Sequence, residues 1–293
     1  MSATKSTNSA TIKRSALELR RVSVSTAGWV ACGIALFLVI GPLLDVVWVV
    51  ASRGISAFSI GLFTTVTNGT GGGLANAISG TLILSAGALL IAVPIGVGAG
   101  IYLSEYGNNK IGNSIRFLSD VLTGTPSIVL GYFSYIVFVT GLGWQFSALA
   151  GSITLAILIV PYLARISELA LRQVPISMRE AAFALGANDP VVVFKVVLPG
   201  ALSGVITGVL LALAISVGET APLIYTAGWS NYMWNGHLTH SPIGYLTYVI
   251  WSFINQPSDE SHALAFAAAF IVMLVVLCIN IGVRLVVKRT KFV

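Results

Sequence analysis

Six stretches of the chain are apolar over a length that suits a membrane crossing: Gly28 to Val50, Ala75 to Leu103, Phe117 to Thr140, Phe146 to Leu163, Gly200 to Thr226 and Ala263 to Val287. A helix needs about 20 mostly apolar residues to cross a hydrocarbon core about 30 Å thick, because every backbone amide must be satisfied within its own segment. The pattern therefore predicts an all-α polytopic membrane protein of six membrane helices. Residues 1–27 are polar, basic and rich in Ser and Thr, without periodicity, and are expected to form a mobile tail. They are no cleavable signal, since the apolar run after them is too long and no small-residue cleavage pattern closes it. Residues 288–293 make a second short basic tail.

Composition agrees, since 56% hydrophobic against 9% charged residues excludes an ordinary soluble domain. Basic residues next to membrane spans are held preferentially on the cytoplasmic side. Lys5, Lys13, Arg14, Arg20 and Arg21 precede the first span, Lys110 and Arg116 lie between the second and third, Arg165, Arg172, Arg179 and Lys195 between the fourth and fifth, and Arg284, Lys288, Arg289 and Lys291 near the end; only Arg53 falls in a linker assigned to the other side. The long linker between the fifth and sixth spans has no Lys or Arg. Both termini are thus expected in the cytoplasm. The net charge of +6 follows from this topology and gives no reason to invoke nucleic acid. Cys32 and Cys278 both fall within spans, where they act as small apolar residues and supply neither a disulfide framework nor a zinc site.

The linker 175–199 is longer than a connection requires. Ser177 and Glu180 have the spacing of a capping box and predict a helix start. Met178, Ala181, Ala182 and Leu185 then share one face, and Gly186 suits the left-handed residue that ends a helix. Asp189 and Pro190 predict a second start, as N-cap and first helical residue, with a helix running into the fifth span through Pro199. A helix of about two turns is marginal by itself in water, so it needs a surface. It packs either on the membrane and its own helix ends or in a groove of another protein; the small Ala181 and Ala182 favour the groove.

Glu180, Ala181, Ala182, Gly186, Val196, Leu198 and Pro199 resemble the EAA motif of the membrane subunits of bacterial ABC importers, with Val196 where the pattern usually has Ile. That resemblance implies a coupling helix seated in a separate ATPase, with Glu180, Ala181, Ala182, Leu185, Gly186 and Pro199 as coupling residues. LANAISGTL (74–82), GIYLSEYG (100–107), GTPSIVLG (124–131), RISELALRQVP (165–175) and GETAPLIYTAG (218–228) are further similar to the PstA-type permeases of phosphate-specific transport. The likeness runs from about residue 74 to the C-terminus and implies a type I importer membrane domain over 74–287, preceded by an additional helix at 28–50. It also implies inorganic phosphate as substrate, a second homologous permease completing the pore, two cytoplasmic ATPase subunits, an extracytoplasmic phosphate-binding protein, and the bacterial inner membrane as the site of action.

The chain has no G-x-x-x-x-G-K-[ST] loop, and Gly69 and Gly71 to Gly73 belong to what is expected to be a flexible outer linker. It carries no cofactor; ATP and Mg belong to the partner ATPase, and the chain itself is no enzyme. Glu219 falls inside the fifth predicted span, where a carboxylate faces a cavity or a partner rather than lipid. Phosphate near neutral pH keeps at least one proton and donates it to such an acceptor, which sulfate cannot do. The other reading pairs Glu219 with a cation of the partner permease, or protonates it in a helix contact.

Proteins resembling this family commonly carry Arg one turn before that Glu, where this chain has Ile215. The positive charge must then come from the second permease or from Arg165, whose other role is a cytoplasmic anchor. Thr220, Asn76, Ser79, Thr125 and Ser127 are further candidates for the substrate path, although hydroxyls in spans also bond to their own helix. Pro94, Pro126, Pro161 and Pro222 are expected to bend their helices. His237 and His240 lack a third ligand. Trp229, Tyr232, Trp234, Tyr245, Tyr248 and Trp251 suit the headgroup level or a docking surface for the binding protein. The alternatives are a permease for molybdate or sulfate, or an ATP-independent secondary transporter or channel. A secondary transporter would show repeat-related broken helices, which the hydropathy pattern does not display.

Overall fold

The computed structural model describes residues 5–290; residues 1–4 and 291–293, the extremities of the two basic tails, lie outside the described residues. The chain divides after Ser52 into two compact units. The first is carried by helix α1 (Lys5–Ser56). Residues 5–27, expected as a mobile tail, continue the helix of the first span. Once a helix is nucleated, adding good formers such as Glu18, Leu19, Arg20 and Arg21 fixes one residue per hydrogen bond. The apolar side chains of α1 are exposed, Trp29 at 77% and Phe37 at 74%, as suits a helix surrounded by lipid or other membrane helices.

The second unit opens with a short helix α2 (Gly61–Thr64) and an antiparallel hairpin of β1 (Thr67–Asn68) and β2 (Gly71–Gly72). The expected flexible glycine linker is thus a two-residue turn, with Gly69 at φ +60° supplying the left-handed conformation such turns need. Four long helices follow or contain the predicted spans: α3 (Ala75–Glu105), α6 (Ala148–Arg172), the rod that ends in α9 (Leu198–Gly218), and α12 (Asp259–Thr290). With α1, five helices among the described residues are long and apolar enough to cross a membrane. Helices α3 and α6 pack along one another through Leu84, Ala88, Ala92, Leu155, Ala156, Ile159 and Leu163, all buried. The small side chains let the two backbones approach closely, which drives helix association in lipid.

The third predicted span, Phe117 to Thr140, is not a straight rod. Helix α4 (Lys110–Gly124) and helix α5 (Ser127–Ser134), which continues as a π-helical stretch over Tyr135–Gly141, meet at an angle of 100°. Thr125 is extended at the break because the ring of Pro126 forbids a helical residue before it. The fifth predicted span is broken too, after Gly218, where Glu219 is extended and helix α10 (Ala221–Thr226) starts anew with Pro222 in its first turn. Glu219 therefore stands at a break, not within a helix. Pro94 and Pro161, by contrast, are accommodated inside uninterrupted α3 and α6. The two breaks are neighbours: α10 packs on α5. A Cβ at Gly131 would lie 2.5 Å from the Cα of Pro222, so the crossing requires glycine.

Between α6 and α9 lie helix α7 (Ile176–Ala184), helix α8 (Asp189–Val192) and a π-helical stretch over Val193–Val197 that runs directly into α9. The wider π register removes the clash that Pro199 would make with the carbonyl four residues back. The linker between α10 and α12 folds inward as helix α11 (Leu246–Phe253). Tyr245 is 1% exposed and belongs to the core, and Trp229 stacks on Tyr248 at 4.6 Å, both partly buried against the core clusters and not part of an exposed aromatic belt. Tyr232 and Trp251 remain exposed.

At the end of the unit that carries α7, an ion-pair hub joins three helices. The Glu168 carboxylate of α6, 1% exposed, meets Arg116 Nε of α4 at 2.8 Å, Arg172 at 2.9 Å and Arg165 at 3.2 Å. Arg116 also donates to the carbonyls of Leu103 and Gly107 at the end of α3, at 2.8 and 3.0 Å. Removing one partner of a buried charge cluster leaves the others uncompensated at a cost of about 3–5 kcal/mol. Glu168→Gln, which keeps the shape and removes the charge, is expected to lower the thermal unfolding midpoint of the detergent-solubilised protein clearly, while Lys110→Gln at an exposed position leaves it unchanged.

Candidate functional site

Two regions of the second unit present chemistry that the fold itself does not consume. The first is the pair of helix breaks. Glu219 has its backbone pinned: its N–H donates to the Ser216 carbonyl at 3.4 Å, and its carbonyl accepts from the Thr247 hydroxyl at 2.7 Å. The side chain is free of that restraint, is partly exposed and lies near Ser127 at the start of α5. The start of α10 packs on α5, and Glu219, Ser127 and the partly exposed Thr220 lie at the two breaks. Ile215, in place of the cation the resemblance leads one to expect, packs against the buried core.

The remaining candidates for the path are committed elsewhere. Asn76 is 1% exposed; its Oδ1 accepts from the Thr67 N–H and hydroxyl, both at 3.0 Å, and its Nδ2 donates to the Ser230 carbonyl at 2.9 Å. It clamps the hairpin to the inward-folded linker. Ser79 donates to the Asn76 carbonyl at 3.0 Å and Thr125 to the Val121 carbonyl at 2.8 Å, each back to its own helix. Arg165 is bound to Glu168 in the hub, far along α6 from the break, although half its side chain is exposed. His237 and His240 belong to no metal-binding cluster among the described residues.

The second region is α7. No residue of this helix is buried, and Ile176, Met178, Phe183 and Leu185 are exposed, Leu185 at 89%. The predicted stripe is present but faces outward. Only Ala182 of that stripe packs on the core, against the cluster built around Leu171 and Val197. The predicted capping box does not form: the N-cap is Pro175, and Ser177 lies inside the first turn, because Pro175 already holds the extended conformation that precedes a helix. Gly186 ends the segment at φ +83°, as expected. The second start is shifted by one residue, with Asn188 accepting from the Val191 N–H at 3.2 Å and Asp189 as the first helical residue. Arg179 ties α7 to the rest of the unit, pairing with Glu105 of α3 at 3.0 Å and donating to the Leu171 carbonyl of α6 at 2.9 Å.

Three functional candidates escaped the pattern. Glu168 is visible in the sequence with Arg165 and Arg172 at helical spacing, but Arg116 arrives from a different helix. Ser216 and Tyr245, both buried, have hydroxyls without a hydrogen-bond partner and line the same narrow cleft as Glu219. No sequence signal joins residues 29 positions apart across a linker that hydropathy places outside the membrane.

Comparisons with known proteins agree with this geometry. Residues 92–292 match the family model of the binding-protein-dependent transport system inner membrane component. The chain is 45% identical over 270 residues to the phosphate transport system permease protein PstA 2 of Mycobacterium bovis, covering 92% of this chain and 90% of that one. It is 42% identical over 252 residues to the phosphate transport system permease protein PstA of Yersinia pestis, covering 84% of each. Among solved structures, one described as inward-facing conformations of the MetNI methionine ABC transporter superposes with a TM-score of 0.57 at 21% identity, covering 73% of this chain and 95% of that one. Five apolar helices, a bent pair, a break at Glu219 and an outward-facing α7 are therefore the parts of a multi-pass ABC permease subunit with no catalytic role of its own: the chain belongs to the family of binding-protein-dependent transport system inner membrane components, among its PstA-type members.

Proposed function

We propose that this protein is the membrane permease subunit of an ATP-driven inorganic phosphate importer in the bacterial inner membrane, with both termini in the cytoplasm. The observation that carries the reading is α7: four large apolar side chains on a short, wholly unburied helix that is tied by Arg179 to α3 and α6. Such a helix suits a protein groove, and the small Ala181 and Ala182 favour that over the membrane surface. A separate ATPase subunit supplies it, with Glu180, Ala181, Ala182, Leu185 and Gly186 at the contact and Pro199 at the junction with the fifth span. Movement of the ATPase then pulls on Arg179, and through Glu105 and the Leu171 carbonyl on the ends of two core helices. A second permease completes the pore, a second ATPase subunit serves it, and an external binding protein delivers the anion.

Phosphate follows from the names of the relatives and from the chemistry at the breaks. Glu219 accepts a hydrogen bond from the protonated oxygen of phosphate, while Ser127 and Thr220 donate to the others; sulfate, lacking that proton, meets an unpaired carboxylate. With Ile215 packed against the core, the balancing cation comes from the second permease. The two broken helices also suit an ATP-independent transporter. Reconstitution separates the readings: this chain alone carrying phosphate down a gradient at the rate of the complete assembly would overturn the importer assignment.

In the complete assembly, phosphate-loaded binding protein is expected to raise ATP hydrolysis above the level given by sulfate-loaded or empty protein; equal stimulation by all three would end the phosphate assignment. Gly186→Pro cannot hold a φ of +83° and is expected to abolish uptake while insertion in the membrane, measured by surface labelling, is kept. Arg179→Glu is expected to lower phosphate taken up per ATP hydrolysed at least about fivefold, and Glu105→Arg in the same chain to restore most of it, by the arithmetic of about 1 kcal/mol for a partly buried pair.

A further inference from the structure

Arg53 is the one basic residue that the expected topology leaves on the outer side, against the usual bias of Lys and Arg toward the cytoplasm. It stands just past the apolar run that ends at Val50, and Asp259 stands just before the run that begins at Ala263, so both belong at headgroup level. The fold brings them to one pocket. A Cβ at Gly54 would lie 2.5 Å from the Cβ of Phe270 and 2.9 Å from the Phe266 carbonyl, so glycine there lets the end of α1 sit directly on α12. Beside that crossing, Arg53, Ser56, Asp259, His262 and Phe266 line a pocket of about 310 Å³. Asp259, His262 and Phe266 share a face of α12 by their spacing, and the exposed Leu277 continues that face deeper into the span.

The pocket holds two opposite charges that do not satisfy each other. Neither Arg53 nor Asp259 forms an ion pair among the described residues, although both line it. The Arg53 guanidinium lies 5.0 Å from the centroid of the Phe266 ring, which orients it, and its N–H groups donate to no protein acceptor among the described residues. The Ser56 hydroxyl donates to the Arg53 carbonyl at 2.7 Å, so toward a ligand it can only accept. A free anion would gain nothing from Asp259, whereas a group carrying both charges matches donors and acceptors together. We propose that this pocket binds the headgroup of a phospholipid that carries a phosphodiester and a primary ammonium, as phosphatidylethanolamine does. Arg53 and His262 donate to the phosphodiester oxygens, Asp259 and Ser56 accept from the ammonium, and an acyl chain follows the Leu277 face of α12. The lipid thereby pins the outer end of α1 to α12. The pocket shares no residue with the helix breaks, and its occupancy does not depend on which anion the pore carries.

The test is native mass spectrometry of the complete transporter, offered equal amounts of phosphatidylethanolamine, phosphatidylcholine and phosphatidylglycerol in detergent. Phosphatidylcholine has no N–H to give Asp259, and phosphatidylglycerol has no cation. Phosphatidylethanolamine is expected to be retained about tenfold over each of the others, as charge-assisted hydrogen bonds at both ends imply. Arg53→Gln should abolish that retention, and Asp259→Asn should abolish the preference over phosphatidylglycerol while a lipid is still held. Both side chains are free of structural ion pairs, so the variants should unfold at the wild-type temperature in lipid-free detergent. A second arm needs no variant: retention by the wild type should fall as the ammonium is successively N-methylated. Equal retention of the three lipids by the wild type, no fall on N-methylation, or unchanged selectivity in either variant overturns the proposal. So does displacement of the lipid by inorganic phosphate, which would make the pocket a free-anion site.

Discussion

A chain that crosses lipid has no water to satisfy its backbone, so any interruption of a membrane helix must be closed by protein groups. In this protein two interruptions, at Thr125–Pro126 and at Glu219–Thr220, depend on that constraint, and most of the surrounding architecture serves it. At the first, the Thr125 N–H donates to the Leu122 carbonyl and the Val129 N–H to that of Pro126. At the second, Ser216 and Thr247 hold the backbone of Glu219, while the Leu223 and Ile224 N–H groups turn to the Thr220 carbonyl. The inward-folded linker with α11 exists at this level to supply Thr247 and the Leu246 N–H. A bare glycine at 131 lets the two new helix starts lie against each other.

The breaks put a carboxyl and two hydroxyl-bearing residues at a place where straight helices would have presented only apolar faces to one another. Irregular backbone at membrane depth is tolerated where it is buried or lines a cavity, and that is where binding groups can be gathered.

At the other end of the bundle the constraint is electrostatic. Glu168 holds arginines from two helices, and Arg116 at the same time covers the carbonyls that close α3. This makes α3, α4 and α6 a single body at the level from which α7 projects, and Arg179 attaches α7 to that body. In the proposed function a rigid attachment is what a motor on another subunit needs. The exposed apolar face of α7 and the buried charge of Glu168 are then two ends of one linkage.

The helical class and five of the six expected membrane helices were legible in the sequence itself, because runs of about 20 apolar residues have no stable alternative to a helix in lipid. Gly186 was equally legible, since a short helix followed by glycine has few ways to end. The positions of the breaks were not. Pro94, Pro126, Pro161 and Pro222 look alike in the chain, yet two are absorbed into α3 and α6 and two stand at interruptions, because only at the latter do neighbouring helices and the linker bring donors and acceptors for the freed backbone. Tertiary structure likewise decided that Tyr245 is a core residue and Trp229 packs against the core, that Asn76 is a clamp, that Arg116 reaches Glu168 and that Ser216 shares a cleft with Glu219. Each of these joins residues far apart in the chain through hydrogen bonds or close packing, and such contacts leave no periodicity in hydrophobic pattern to betray them.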